Sequence, residues 1–273
     1  MSSPTHEPGS GLAEVFRGCR AEDRAALIGY LPVGYPTVDG SIEAMVALVE
    51  AGADVVEVGM PYTDPMMDGP VIQRAATEAL AGGVHIDDVF RAVEAVRGAG
   101  GVPVVMSYWN LVLRRGVERY ASDLAAHGGA GIITPDLVPE EARDWIAAST
   151  THGLDRIFLV APSSTTERLA AVTAATSGFV YAASTMGVTG VRGEVGSAAP
   201  DLVTRLREVT DLPVCVGLGV RDGAQAAEVA SFADGVIVGS ALVERLMERS
   251  SAERLASLRE LTSELARGVR GRA

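Results

Sequence analysis

The sequence repeats one pattern eight times: a short apolar segment followed by a stretch with helical periodicity. The segments that predict strands are 25–31, the run around Glu57, 103–107, 131–134, 156–161, 179–182, 213–216 and 234–238. Short apolar strands that alternate with helices are typical of a parallel sheet covered by helices. Eight such units predict an α/β fold, a single closed (β/α)8 TIM barrel.

An open, doubly wound sheet is the alternative fold. Its first strand-to-helix turn often carries G-x-G-x-x-G, whereas this turn reads Pro32-Val-Gly34-Tyr-Pro36, which favours the barrel. Residues 12–20 predict an extra N-terminal helix with Leu12, Val15 and Phe16 on one face. Residues 1–10 are rich in Ser, Pro and Gly and predict a disordered N-terminal tail, so the barrel domain is expected to span 11–273.

One acidic residue, Glu57, interrupts the second apolar segment, and Asp64 and Asp68 lie on the loop that follows. An unpartnered buried carboxylate costs several kcal/mol or shifts its pKa. Because active sites of such barrels form at the carboxyl ends of the strands, Glu57 and Asp68 are candidate acid–base residues. The alternatives are a structural carboxylate at Glu57, a helix N-cap at Asp68 and a turn role for Asp64.

Two short glycine sequences follow the seventh and eighth predicted strands: Gly217-Leu-Gly219 and Gly239-Ser240. Each precedes a helix, and backbone N–H groups at a helix N-terminus bind anions. Barrels of this kind commonly bind phosphate after these two strands, so the pair predicts a phosphate site. Gly187 and Gly190, on the long loop after the sixth strand, could close over the same phosphate. The alternative is a pair of tight turns without a ligand.

Apolar and aromatic residues stand at several predicted strand ends. They could line a pocket for a flat hydrophobic group, although packing in the core is the simpler alternative. These residues are Tyr30, Tyr108, Tyr181, Leu218 and Ile237.

Composition excludes several chemistries and partners. All 23 basic residues are arginine, so neither a lysine Schiff base with substrate nor a lysine-anchored pyridoxal phosphate can form on this chain. The net charge of −12 argues against nucleic acid or an anionic membrane surface as the main partner. No apolar stretch reaches membrane-spanning length.

The histidines and cysteines show no spacing typical of metal ligands. No histidine follows a predicted strand; they lie in the tail, in a loop and at two predicted helix C-termini: His6, His85, His127 and His152. The sequence therefore predicts no metal site. Cys19 and Cys215 leave a disulfide open, but a reduced, cytoplasmic protein is the favoured interpretation.

These residues together predict an enzyme that acts on a small phosphorylated molecule with carboxylates as its acid–base groups. Such a pair suits the proton transfers of a lyase or an isomerase, for example a phosphosugar isomerase on the same barrel. A non-catalytic subunit that only activates a partner is a third hypothesis. The sequence patterns do not separate the three.

A longer sequence motif around Glu57 favours one of these three hypotheses. The string Glu57-x-Gly-x-Pro-x-x-Asp64-Pro-x-x-Asp68-Gly-Pro resembles the signature of the tryptophan synthase α chain family. The sequences Gly187-Val-Thr-Gly190, Gly217-Leu-Gly219-Val220 and Gly239-Ser240-Ala241 also fall in the family's order. The resemblance implies a lyase of tryptophan biosynthesis that cleaves indole-3-glycerol phosphate to indole and glyceraldehyde 3-phosphate, a retro-aldol reaction.

The resemblance also implies roles for individual residues. Asp68 would hold or deprotonate the indole N–H, and Glu57 would shuttle protons at indole C3 and at the glycerol hydroxyl. Tyr181 would lie near both carboxylates. The phosphate would be bound by Gly190, Gly219, Gly239 and Ser240, and the indole would be surrounded by Tyr30, Leu218 and Ile237.

The family further implies a partner, the tryptophan synthase β chain, in an α2β2 heterotetramer. The β chain would carry pyridoxal phosphate, and this chain would carry no cofactor. One departure concerns the loop before Gly187, where some members carry an arginine and this chain reads Ser184-Thr185-Met186. Closure of that loop, or its coupling to the partner, is therefore expected to differ.

Overall fold

Parallel strands form the centre of the molecule. The computed structural model describes residues 11–64, 67–183, 198–217, 219–247 and 250–271. Over these residues the strands are β1 (Ala26–Pro32), β2 (Val55–Gly59), β3 (Val102–Met106), β4 (Gly131–Ile133), β5 (Asp155–Ile157), β6 (Leu159–Val160), β7 (Val180–Ala183), β8 (Val214–Gly217) and β9 (Gly235–Val238). They form one parallel sheet in the order β5-β4-β3-β2-β1-β9-β8-β7-β6.

The sheet closes on itself at Phe158. This residue alone separates β5, which pairs with β4, from β6, which pairs with β7. The predicted fifth strand, 156–161, is thus split into two short strands. The Phe158 carbonyl still accepts a hydrogen bond from the Tyr181 N–H at 3.2 Å, so the wall continues across the break. The predicted barrel is confirmed.

Helices cover the outside of the barrel and one of its ends. They are α1 (Leu12–Ala21), α2 (Val38–Glu50), α3 (Pro70–Ala81), α4 (Ile86–Gly98), α5 (Trp109–Arg115), α6 (Val117–Ala126), α7 (Arg143–Thr151), α8 (Thr166–Ala175), α9 (Ala198–Arg207), α10 (Gly223–Ala230), α11 (Ser240–Arg245) and α12 (Ser251–Arg270). Thr37 caps α2, and its hydroxyl accepts from the Gly40 N–H at 3.1 Å. Helix α5 was not predicted from the sequence.

The extra N-terminal helix is confirmed, and it closes one end of the barrel. Side chains alternate along each strand, so every second residue points inward. The inward residues near the strand starts, among them Ile28 and Val55, form one cluster with Leu12, Phe16 and Cys19 of α1. The rings of Phe16 and Phe179 lie 5.8 Å apart. The amino-terminal end is therefore filled, and the opposite end carries the candidate site.

Some sequence predictions lie outside the described residues. They concern the tail 1–10, the loop residues 184–186, Gly187, Gly190 and Leu218. Within the described residues, both cysteines are buried free thiols. No helix in that part of the chain combines the length and apolar character needed to cross a membrane.

We expect Gly268→Ala to destabilise the fold, because α12 crosses the start of α10 closely at this point. A Cβ atom at Gly268 would lie 2.2 Å from the Gly223 carbonyl oxygen. Relieving such overpacking costs about 1–3 kcal/mol, which urea unfolding measures. The matched control is Gly18→Ala inside α1, where the added Cβ has no neighbour within 4 Å. It should gain about 0.5–1 kcal/mol. Equal stability of the two variants would contradict the expectation.

Candidate active site

Glu57 lies in the middle of β2 and points into the barrel. It pairs in register with Tyr30 of β1 and Val104 of β3, and Val55, two residues earlier, belongs to the interior cluster. The residue is 1% exposed. Neither carboxylate oxygen has a hydrogen-bond partner among the described residues. The alternative that Glu57 is a structural carboxylate, hydrogen-bonded by a neighbouring loop, therefore does not hold within the described part of the chain.

The environment raises the pKa of Glu57 to about 8. Burial is the larger cause, and the negative charge of Asp68 adds to it. Burial also raises the pKa of Asp68, to about 6. Near neutral pH, Glu57 therefore holds its proton while Asp68 has lost its own. A site that holds one protonated and one ionised carboxyl group, each with a pKa close to neutral pH, is suited to general acid–base catalysis.

Asp68 is placed by the loop between β2 and α3. The N-cap of α3 is Gly69, which makes no side-chain capping bond, and Pro70 is the first helical residue. The alternative that Asp68 caps this helix is therefore wrong. Asp68 is half-buried, and its backbone carbonyl accepts from the Gln73 side-chain amide at 2.8 Å.

Two tyrosines lie over glycines at the mouth of the barrel. A Cβ atom at Gly59 would lie 2.6 Å from the Tyr30 hydroxyl, and one at Gly217 would lie 2.9 Å from the Tyr181 hydroxyl. Glycine at these two strand ends is what leaves room for the rings. Burial, with smaller contributions from the charges of Glu57 and Asp68, raises the pKa of both tyrosines well above the ordinary value. Both phenols are neutral neighbours of the carboxyl pair.

The two predicted glycine turns lie side by side. Strands β8 and β9 pair with Gly217 opposite Ile237, so Gly219 and Gly239 follow at the same level. Gly219 has φ +74°, a left-handed conformation that favours glycine. Gly239 is the N-cap of α11 and Ser240 its first residue. The predicted phosphate residues within the described chain are thus adjacent in space.

These turns reach the same mouth as the carboxyl groups. A Cβ atom at Gly239 would lie 3.4 Å from the Tyr30 ring and 3.6 Å from the Ile72 side chain. Ile72, buried in the first turn of α3, is a residue that the sequence analysis missed. The available signal was its apolar side chain four residues after Asp68. Ile237, two residues before Gly239 on β9, is buried inside the barrel.

Tyr108 contacts the loop that carries Asp68. It is buried directly before α5, and its hydroxyl oxygen accepts from the Met67 N–H at 3.1 Å. Its ring stacks on Tyr62 with the centroids 4.9 Å apart. Tyr108 therefore contacts this loop at two points, the Tyr62 ring and the Met67 N–H.

The three histidines in the described chain lie at helix ends. His127 and His152 are the C-caps of α6 and α7, as predicted, and His85 is the N-cap of α4. Within the described ranges, no three His, Cys, Asp or Glu side chains lie together as metal ligands would. The titratable groups that act on one another at the mouth include the carboxyl pair and the tyrosines.

Comparison with known proteins decides between the hypotheses. The family model of the tryptophan synthase alpha chain matches residues 16–270. The chain belongs to this family. It is 65% identical over 261 residues to the tryptophan synthase alpha chain of Nocardia farcinica, covering 96% of each chain. It is 64% identical over 261 residues to that of Mycobacterium tuberculosis, covering 96% of this chain and 95% of the relative.

Solved structures agree. A structure of Mycobacterium tuberculosis tryptophan synthase superposes with a TM-score of 0.91 at 63% identity, covering 96% of this chain and 99% of that chain. A mutant tryptophan synthase alpha-subunit from Pyrococcus furiosus gives 0.82 at 32% identity, covering 89% and 98%. The resemblance stated from the sequence is confirmed. As a tryptophan synthase α chain, the protein is a lyase that cleaves indole-3-glycerol phosphate in tryptophan biosynthesis.

The pKa of Glu57 predicts how stability depends on pH. The unfolded chain releases this proton near the ordinary value of 4.5 and the folded chain near 8, so between these values the folded state binds one more proton. Stability from this group is fully present below the unfolded pKa and falls as the pH rises toward 8. We expect Glu57→Gln, which cannot ionise, to gain on the wild type across this range, by at most about 5 kcal/mol.

Urea unfolding at a series of pH values measures this difference. Glu78→Gln is the matched control, because Glu78 is an exposed carboxylate on α3 that pairs with Arg74 at 3.0 Å. Its difference from the wild type should be small, because the side chain is exposed. A difference for Glu57→Gln that does not change with pH would show that Glu57 does not titrate as described.

Proposed function

We propose that Glu57 and Asp68 carry the proton transfers by which this α chain splits indole-3-glycerol phosphate into indole and glyceraldehyde 3-phosphate. One observation carries the proposal. A buried carboxyl group without a hydrogen-bond partner in the described chain lies at the barrel mouth, close enough to a second carboxylate for the two pKa values to separate. The glycine turns at Gly219 and Gly239 lie at the same mouth.

The reaction proceeds in two stages. In the first, protonated Glu57 donates its proton to indole C3 while ionised Asp68 accepts the indole N–H proton, which gives the indolenine tautomer. In the second, Glu57 takes the proton of the hydroxyl on the carbon attached to C3. The bond between that carbon and C3 breaks, its electron pair returns to the ring, and the ring nitrogen regains its proton from Asp68. Both carboxyl groups end as they began.

This scheme does not require a Schiff base between the chain and its substrate. The indolenine accepts the electron pair of the breaking bond, so no Schiff base is needed, and the chain has no lysine to form one. The pKa of about 8 suits Glu57 for both of its tasks, because an acid–base group works best when its pKa is near the operating pH.

The substrate is held from two sides in this proposal. Backbone N–H groups at Gly219, Gly239 and Ser240 bind the phosphate at the start of α11, and Gly190 contributes from the loop after β7. The indole ring lies against the residues proposed from strand ends, Tyr30, Tyr108, Tyr181, Leu218 and Ile237, and against Ile72.

The partner in this proposal is the tryptophan synthase β chain, in an α2β2 assembly in the cytoplasm. Pyridoxal phosphate then belongs to the β chain, and this chain carries no cofactor. Three large apolar side chains that are 37–53% exposed support a docking surface. Met67 follows β2, Leu113 lies on α5 and Val138 follows β4, so they belong to three neighbouring units of the barrel.

We expect Glu57→Gln and Asp68→Asn each to lower the rate of indole release by roughly 10²-fold or more, the usual contribution of a general acid–base group. The assay supplies indole-3-glycerol phosphate to the enzyme with its β chain present. Glu78→Gln, on the exposed face of α3, should keep the wild-type rate. Wild-type turnover in both site variants would remove the two carboxyl groups from the mechanism.

Ser240→Asp tests the phosphate site. A carboxylate at the first residue of α11 would repel the phosphate dianion, so we expect KM for indole-3-glycerol phosphate to rise roughly 10-fold or more, with a smaller change in kcat. Steady-state kinetics measure both constants. Ser250→Asp, at the N-cap of α12, adds the same charge elsewhere. An unchanged KM in Ser240→Asp would place the phosphate away from α11.

A further inference from the structure

The Tyr108 side chain ties the loop that carries Asp68 to a second barrel unit. The Tyr108 hydroxyl oxygen lies 3.1 Å from the Met67 nitrogen and accepts its N–H hydrogen bond. Tyr108 and Met67 are 41 residues apart in sequence, and Met67 immediately precedes Asp68. This bond therefore fixes the backbone one residue away from a proposed catalytic carboxylate.

Tyr108 is itself held in place. Its ring stacks on Tyr62, with an interplanar angle of 27°. The next residue, Trp109, donates its N–H to the Asp136 carboxylate at 2.9 Å, which anchors the start of α5 to the segment after β4. Tyr108 is also 6% exposed, so little room remains for another side-chain position. The hydroxyl is thus a fixed acceptor rather than a mobile surface group.

A second tie holds Asp68 from the other side. The Gln73 side-chain amide donates to the Asp68 backbone carbonyl at 2.8 Å, while the Gln73 N–H donates to the Gly69 carbonyl as α3 begins. The Met67 N–H and the Asp68 carbonyl lie on either side of the Asp68 Cα atom. The two bonds together limit rotation of the backbone that aims the Asp68 carboxylate.

We propose that Tyr108 is a positioning residue for Asp68, with Gln73 as the second tether. The inference rests on the function proposed above. Its physical basis is that acid–base groups need near-exact placement, and an error of about 1 Å can cost 10²-fold in rate. A loop without such ties samples many orientations, whereas a strand such as the one that carries Glu57 does not.

The pKa of Asp68 depends on its surroundings and offers a second measurement of its placement. Several titratable groups face Asp68. They are Glu57 on β2, Tyr30 on β1, Tyr181 on β7 and Tyr108 itself. Partial burial of Asp68 in this cluster is what raises its pKa to about 6. Loss of a tether exposes the carboxylate to more water, which moves its pKa down toward the ordinary value. The acid limb of the pH–rate profile follows that pKa.

The test is Tyr108→Phe, assayed as the complex of this chain with its β chain. We expect kcat for indole release to fall roughly 10-fold, KM to stay within about twofold, and the acid limb to move to lower pH by roughly half a unit. Tyr120→Phe is the matched control, because Tyr120 is also buried but lies on α6, where its ring packs edge-on against Phe90 with the centroids 5.4 Å apart. It should keep kcat within about twofold.

A double variant separates positioning from other effects. If the Tyr108 hydroxyl acts only through Asp68, adding Tyr108→Phe to Asp68→Asn should lower the rate no further. Gln73→Met removes the second tether from an exposed site and should shift kcat and the acid limb in the same direction by smaller amounts. Thermal unfolding checks that each variant is folded.

Two results would overturn the inference. One is a wild-type kcat and acid limb in Tyr108→Phe while Asp68→Asn is inactive. The other is a further 10-fold loss when the two changes are combined. Full activity of Asp68→Asn would instead reject the proposed function itself, so the two failures are distinguishable.

Discussion

The buried Glu57 carboxyl group is the constraint on which the site depends. A strand residue is fixed by sheet hydrogen bonds on both sides, so its side chain cannot turn toward water. Burial without a hydrogen-bond partner in the described chain opposes ionisation and leaves the group protonated near neutral pH. The apolar core around it, from Val55 to Val104, offsets the cost of this placement. A rigid, desolvated acid is the result.

The packed interior and the candidate site lie at opposite ends of the barrel. At the amino-terminal end, Leu12 and Phe16 of α1 pack onto the inward strand residues and fill the interior. At the other end, three inward positions are glycine: Gly59, Gly217 and Gly239. They leave space over which Tyr30 and Tyr181 extend, since even a methyl group at Gly59 or Gly217 would meet a phenol within 3 Å. Glycine at these two strand ends therefore provides the room for the tyrosine rings.

Much of this arrangement follows from local sequence, and the rest depends on distant contacts. Periodicity predicts the strands and most helices, and the topological rule for parallel barrels brings Glu57 and Asp68 to one mouth. Helix α5 escapes prediction because its start is anchored by Asp136, 27 residues away. The tie between Tyr108 and Met67 spans 41 residues and has no local signal. The split of the fifth strand at Phe158 likewise reflects barrel closure, not local composition.

The placement of the two carboxyl groups on different kinds of element explains how one can be an acid while the other is a base. Two carboxyl groups in adjacent barrel strands would share the same burial, and both would hold their protons. Moving Asp68 to a loop leaves it half-hydrated, so its pKa rises only to about 6 while that of Glu57 reaches about 8. The conformational freedom of a loop, however, would leave the Asp68 carboxylate without a fixed orientation. Hydrogen bonds from Gln73 and to Tyr108 restore at Asp68 the fixed geometry that the sheet gives to Glu57.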